Sequence, residues 1–354
     1  MDGGARGTIQ SMARPTHLLV ANPTAQSGKS AARIALAEDL LRARGVETKL
    51  LATLPAGKTI DAVRDALRDD DGLRTVIAMG GDGTFREVGS GLLESGRASD
   101  VALAMLPTGT ANDQGHSFGL SSDPEALERN VDVIVAAHET RLDAGRYVAE
   151  NERGETVLAT WFFDSAGWGL SARVLAERNK DRAAVEHIPI VRELYRDKLV
   201  YAGALVRVFL ESYVLSDKFD ATVIADGETI ELTGVTDLIV NGTRIYAGAW
   251  VFDPSSRHDD GLFEVVPFLG KRDWASKAIV DLEASPLTEE GLNAVGIRHT
   301  QPFSARDLVI AMHPRPGAKP LAAQLDGEEC VATTLVRIHV AKEALRLVVP
   351  RDAD

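Results

Sequence analysis

The chain has 354 residues, 45% of them hydrophobic and 26% charged, which is enough apolar material for two ordinary globular cores. A net charge of −13 argues against a nucleic-acid partner, whose phosphates demand a basic face, and against broad adsorption to an anionic membrane, although a local basic patch survives such a balance. The single cysteine, Cys330, allows no internal disulfide and fits a reducing compartment, and the eight histidines include no pair at zinc-ligand spacing.

Residues 1–16 lack the apolar stretch of a secretory signal and read as a flexible tail. From 17 to 140, short β-rich runs alternate with helical ones: "HLLVAN" then 30–44, "TKLLAT" then 58–68, "TVIAMGG" then 84–94, "VALAMLP" then 123–137. This βα repetition predicts a largely parallel sheet with helices on its faces. Ligands of such sheets gather at the carboxyl ends of the strands, and those ends carry the unusual residues here: Asn22 to Ser30, Thr53, Gly80 to Thr84, and Pro107 to Asp113.

From 141 to 337 the texture changes to strands joined by turns, with hairpin signals at Asn151 to Gly154 and at Asp226-Gly227. An antiparallel, sandwich-type β domain is expected, interrupted by a helical segment over 171–213. Residues 338–354 form a C-terminal segment that can return to the first domain. No apolar run reaches the roughly 18 residues that suggest a spanning helix. The nearest, Leu199 to Leu215, is broken by Arg207 and Glu211.

Five stretches carry candidate chemistry. "ANPTAQSGKSA" ends in Gly28-Lys29-Ser30 after a strand, but Pro23 stands where a P-loop needs glycine, and proline has no N–H to offer phosphate. A strand, a polar loop and a helix start still make an anion site. "MGGDGTFREVGSGLL" places three glycines at a strand-to-helix junction, where the backbone can pass close to a bulky anion. Asp82 offers a carboxylate where a phosphate-bound Mg²⁺ would lie, and a tight turn with a solvated aspartate is the alternative. "LPTGTANDQGHSFGL" presents hydroxyls and the pair Asn112-Asp113, which could equally open a helix as a cap. "DPSSRHDDGLFEVV" could hold a hard cation through Asp260 and nearby carbonyls, or be a solvated acidic loop. Asp326-Gly327-Glu328 in "AAQLDGEECV" reads by turn chemistry as a hairpin.

Taken together, from about 17 to 349, this ordered set resembles the diacylglycerol kinase catalytic domain and its bacterial lipid kinase and sphingosine kinase relatives. The motifs are Asn22-Pro23 with a following Gly-Lys, "GGDGT" with Glu87 and Gly91 downstream, Gly109-Thr110 with Asn112-Asp113, "GWGLSARV", "VNG", "DDGLFEVV" and "DGE". The resemblance implies an NAD kinase-like α/β nucleotide-binding domain followed by a β-sandwich-type lipid-substrate domain, with the active site in the cleft between them. It implies ATP and Mg²⁺ as cofactors, phosphorylation of a lipid hydroxyl at a membrane surface, and a cytoplasmic protein peripheral to the membrane. A homodimer is compatible with it. Carried over position by position, the ATP contacts would be Asn22, Pro23, Thr24, Ala25, Gln26, Thr53, Gly81, Asp82, Gly83, Thr84, Phe85, Arg86, Glu87, Thr110 and Asn112. Asp82 and Asp113 would serve magnesium or the transfer geometry, Glu328 would be the base with Asp326 beside it, and the Arg257 to Leu262 loop would hold a structural Mg²⁺ through Asp260.

Departures from the family pattern are Arg86 where asparagine is common, Ser90-Gly91 where Asn-Gly is common, Asp164-Ser165 near a usual asparagine, and Trp168 within a run of small residues. They leave the acceptor open among hydroxyl lipids. Rival readings are a soluble NAD kinase and a nucleotide- or lipid-binding regulator without turnover; an unrelated dinucleotide-binding domain is disfavoured, since no strand-linked G-x-G-x-x-G is present.

Overall fold

The computed structural model describes residues 16–25, 29–109, 112–173, 175–176, 218–244, 246, 256–269, 301–318 and 320–351. The helical segment expected over 171–213 lies outside these beyond its first turns, as do the apolar run from Leu199 to Leu215, Gln26 and Thr110.

The first strands, β1 (His17–Ala21), β2 (Thr48–Ala52), β3 (Thr75–Gly80) and β4 (Ala102–Pro107), form a parallel ladder in the order β2-β1-β3-β4. The apolar runs of β1, β3 and β4 are buried because helices cover each side of the sheet, whereas the edge strand β2 leaves Lys49, Leu50 and Ala52 exposed. On one face α2 (Lys58–Asp69) and α3 (Asp82–Ser95) pack Val63, Leu67, Phe85, Val88 and Leu92 against Val76, Ala78, Leu103 and Met105. On the other, α1 (Lys29–Ala43) and α5 (Leu127–Ala136) pack Ile34, Ala37, Leu41, Val131 and Ile134 against Leu19, Ile77, Ala104 and Leu106. Phe85, Val88 and Leu92 recur at helical spacing, so α3 presents one apolar stripe to the sheet. Between β4 and α5 lies the one-turn helix α4 (Asp113–Ser117).

The sheet then continues with antiparallel strands. These are β5 (Glu139–Glu150), β6 (Thr156–Phe162), β8 (Phe219–Ala225), β9 (Glu228–Val235), β13 (Asp307–Pro314) and β16 (Leu335–Val348), giving ten strands among the described residues. β16 is parallel to β4 at Leu347 and Leu103, and antiparallel to β5 and β13. A second, wholly antiparallel sheet has the order β12 (Phe303–Ala305), β11 (Phe263–Phe268), β10 (Asp237–Asn241), β7 (Ser165–Gly169), β14 (Ala323–Leu325), β15 (Glu328–Cys330). The two sheets close on a core that includes Tyr147, Phe162 and Ile338 from the first and Trp168, Val240 and Phe263 from the second. Tyr147 stacks on Trp168 with centroids 6.3 Å apart, and Phe162 meets Phe263 edge-on at 5.3 Å.

The expected α/β sheet followed by antiparallel β structure is therefore present. Asp226-Gly227 turns the β8–β9 hairpin with both residues at positive φ, 49° and 90°, as a two-residue hairpin requires. The strand β7 was not anticipated; its sequence, SAGWG, is fully buried and lacks the branched residues that mark strands.

Close packing makes one glycine of α3 testable. A methyl on Gly89 would sit 2.7 Å from the ring of Phe163, which is fully buried and cannot swing aside. Overpacking of this kind costs typically about 1–3 kcal/mol, which exceeds the gain of roughly 1 kcal/mol from replacing a mid-helix glycine by alanine. Gly89→Ala should thus lower the urea midpoint; a higher midpoint would show that Phe163 is free to move.

Candidate active site

Four loops meet at the carboxyl edge of the parallel strands, because the strands end in register: Ala21 pairs with Ala52 and Met79, and Gly80 with Pro107. At the end of β1, the Asn22 side chain accepts from the Thr24 N–H at 3.0 Å and from the Thr24 hydroxyl at 2.9 Å. The Asn22 carbonyl accepts the Ser30 hydroxyl at 2.7 Å, so Pro23, Thr24 and Ala25 arch between fixed points before α1 begins. Thr53 donates its N–H to the Ala21 carbonyl at 2.9 Å, beside the same arch.

The glycine turn after β3 and the loop after β4 are in direct contact. The Thr108 N–H reaches the Gly80 carbonyl at 2.8 Å, and a side chain on Gly109 would come within 2.7 Å of the Gly81 Cα. Only glycines allow that approach. Asn112, at φ 56°, accepts the Gly109 N–H at 3.0 Å. The Asp82 carboxylate crosses from α3 to the start of α4, where it accepts the Gln114 N–H at 3.2 Å and is further bonded by the amides of Asn112 and Asp113. Burial raises its pKa and these donors oppose the rise. Asp113 itself is buried. Thr84, Arg86 and Glu87 lie half-buried in the first turns of α3, whereas the Phe85 ring is core, edge-on to Phe163 at 5.7 Å, so only its backbone faces the site.

The Asp-Gly-Glu stretch is a hairpin turn between β14 and β15, with Asp326 and Gly327 at φ 47° and 72°. Asp326 points inward. Its carboxyl accepts the N–H groups of Phe163 (3.0 Å), Asp164 (2.8 Å) and Ser165 (3.0 Å), and burial raises its pKa to about 6 against the opposing charge of Arg86. Asp326 therefore lies beneath the site as a cap on the β6–β7 turn. Glu328 is exposed and reaches across to the first turn of α3, where its Oε1 lies 3.0 Å from the point at which Gly83 would carry a methyl. A side chain at Gly83 would displace it.

The Arg257 to Leu262 loop is held by protein groups. Asp143, fully buried in β5, accepts the Gly261 N–H and, through its other oxygen, the Glu343 N–H, each at 2.6 Å, while its own N–H donates to the His258 carbonyl. Asp260 accepts the Leu262 N–H at 2.9 Å, and Arg257 pairs with Asp259. Among the described residues, no three His, Cys, Asp or Glu side chains are grouped to hold a metal ion.

Sequence reasoning marked Asp164 only as a departure from the family pattern and gave it no role at the site; it is buried. It accepts the Thr243 hydroxyl at 2.5 Å, and burial followed by the charges of Asp113 and Asp326 pushes its pKa well up. The signal available was a lone acid closing the apolar run "WFFD".

This arrangement has relatives. Residues 16–147 match the diacylglycerol kinase catalytic domain. Relatives named "Probable lipid kinase YegS" from Salmonella heidelberg and "Probable lipid kinase YegS-like" from Klebsiella pneumoniae are 34% and 31% identical over 165 and 163 residues, 46% of this chain in each case. The matched stretch spans about half the length of these relatives, 49% and 48%. A solved structure of a diacylglycerol kinase from Bacillus anthracis str. Sterne shares the fold with a TM-score of 0.67 at 19% identity, covering 96% of this chain and 98% of that one. The resemblance read from the motifs thus holds over residues 16–147, and the fold, C-terminal sheets included, is shared with that solved structure.

Asp326 gives a pH test. Its pKa is near 3.9 when unfolded and about 6 when folded, so the folded protein binds the extra proton and stability from this group is lost as pH rises from about 4 to 6. The slope is on the order of 1.4 kcal/mol per pH unit. Asp326→Asn keeps an acceptor for the three amides and cannot ionise, so wild type should lose stability relative to this variant across that window in chemical denaturation. Parallel curves would contradict the assignment.

Proposed function

We propose that this chain is an ATP-dependent lipid kinase that transfers the γ-phosphoryl group to a lipid hydroxyl, diacylglycerol-like in kind. The observation that carries the reading is the position of Glu328, a carboxylate delivered by the second sheet to the first turn of a helix that opens with a glycine turn. The N-terminus of α3 offers backbone amides and a positive dipole end to the nucleotide phosphates, and Thr84 adds a hydroxyl. The Asn22 arch and Thr53 flank the place where the rest of the nucleotide would lie.

Phosphoryl transfer is mainly positioning and charge neutralisation. The acceptor oxygen forms a bond to the γ-phosphorus as the bond to the β-phosphate oxygen breaks and ADP leaves, and the hydroxyl proton passes to Glu328. A Mg²⁺ ion carried by the phosphates would neutralise their charge, with Asp82 and Asp113 as the side chains to anchor it. This suits Mg²⁺, which is usually bound by one or two carboxylates together with substrate phosphates. The lipid would be met at the membrane surface, and the setting proposed is cytoplasmic.

The test uses radiolabelled ATP, Mg²⁺ and phosphatidylcholine vesicles carrying diacylglycerol or another hydroxyl lipid, with NAD as a parallel acceptor. Label should enter lipid. Glu328→Gln should leave ATP affinity near wild type and lower turnover by about 10²- to 10⁴-fold, the usual worth of a general base. Label in NAD with none in any lipid would move the protein to soluble kinase chemistry, and full turnover by Glu328→Gln would remove that residue as the base.

A further inference from the structure

We infer that Asp164 is a positioning residue for Glu328, the junction of a buried hydrogen-bond chain that ties α4 to the turn bearing the proposed base. The role rests on the kinase reading; the chain does not. It begins on α4, where the Ser117 hydroxyl reaches that of Thr243 at 3.4 Å, and the Thr243 hydroxyl then donates to Asp164 Oδ1 at 2.5 Å. On the other side Ser165 Oγ lies 3.2 Å from Asp164 Oδ2, and Gln324 Nε2 donates to Ser165 Oγ at 3.2 Å. Gln324 Oε1 closes the chain by accepting the Gly327 N–H at 2.8 Å, one residue before Glu328.

Every side chain between the two ends is buried: Thr243, Asp164, Ser165 and Gln324. Bonds of this kind are stiff, because a broken partner would be left unsatisfied away from water. A carboxyl group beside Asp113 and Asp326 is also expensive to bury. Its two oxygens, in one plane, serve Thr243 on the β10 side and Ser165 on the β7 side, which an apolar side chain of equal volume could not do. The chain runs from the helix that receives Asp82 to the turn that carries Glu328, and so sets the two carboxylates of the site relative to one another.

Asp164 touches neither nucleotide nor acceptor in this scheme, so its loss should appear in turnover. Asp164→Ala is expected to lower kcat on the order of 10²-fold, the effect of a misplacement of about 1 Å, with KM for ATP unchanged. Asp164→Asn keeps an acceptor for Thr243 and a polar atom for Ser165, and should restore most of the turnover. Thr243→Val and Ser165→Ala, each cutting a single link, should lower kcat in the same direction, and they carry the test if Asp164→Ala does not fold.

Amide hydrogen exchange at 326–328 provides a readout independent of activity: protection should fall in Asp164→Ala and return in Asp164→Asn, at similar global stability. Wild-type turnover and unchanged exchange in Asp164→Ala, or equal loss in the alanine and asparagine variants, would overturn the proposal. If the wild-type protein phosphorylates no lipid, the kinase reading fails, and the exchange data alone decide whether Asp164 holds the turn.

Discussion

Between Leu335 and Val348, β16 changes partners without leaving the sheet: its first half lies between β5 and β13, and its end runs parallel to β4. One strand thereby joins the parallel α/β layer to the antiparallel layer. The change of partner occurs at an irregularity between Ala341 and Leu345, where Glu343 takes a φ of 50°. A non-glycine residue in the left-handed region is costly unless its surroundings fix it. Asp143 does so, by accepting the Glu343 N–H and, on the same carboxyl, the Gly261 N–H. The hinge strand and the acidic loop are pinned by one buried side chain.

With that weld in place, the second sheet is held so that its β14–β15 turn meets α3. Small residues then decide how close the approach can be. Gly83 leaves room for Glu328, and Gly109 lets the loop after β4 lie on the glycine turn after β3. The carboxyl groups gathered there repel one another in a region poor in water, and the structure offsets this with donors: backbone amides for Asp82 and Asp326, hydroxyls for Asp164, and the guanidinium charge of Arg86 towards Asp326. Fixed dipoles of this kind would suit the proposed phosphoryl transfer, in which little covalent work falls to the protein.

Much of the fold was legible in the sequence because periodicity is local. The βα alternation gave β1 to β4 and their helices, and the Asp-Gly pair gave the β8–β9 hairpin. The glycine and acid motifs marked the loops that gather at the strand ends. What stayed hidden depends on contacts distant in sequence. Asp164 and Thr243 are 79 residues apart, and Asp326 binds amides more than 160 residues away. Asp326-Gly327-Glu328 left open the choice between turn and catalytic carboxylate, and the structure combines them: a two-residue turn whose first member points inward and whose exit residue points to α3. Phe85, which the family pattern placed with the nucleotide, has its ring in the core because helical spacing puts it on the same face as Val88 and Leu92.

The central claim is that the site is completed only when the second sheet brings Glu328 to the glycine turn and the N-terminus of α3. A crystal structure with a non-hydrolysable ATP analogue and Mg²⁺ tests it most directly. The account predicts the terminal phosphate between the amides of Gly81 to Thr84 and the Glu328 carboxylate, with the nucleotide running towards Asn22 and Thr53. A nucleotide bound elsewhere on the chain, or bound at the turn with Glu328 facing away from its terminal phosphate, would contradict it.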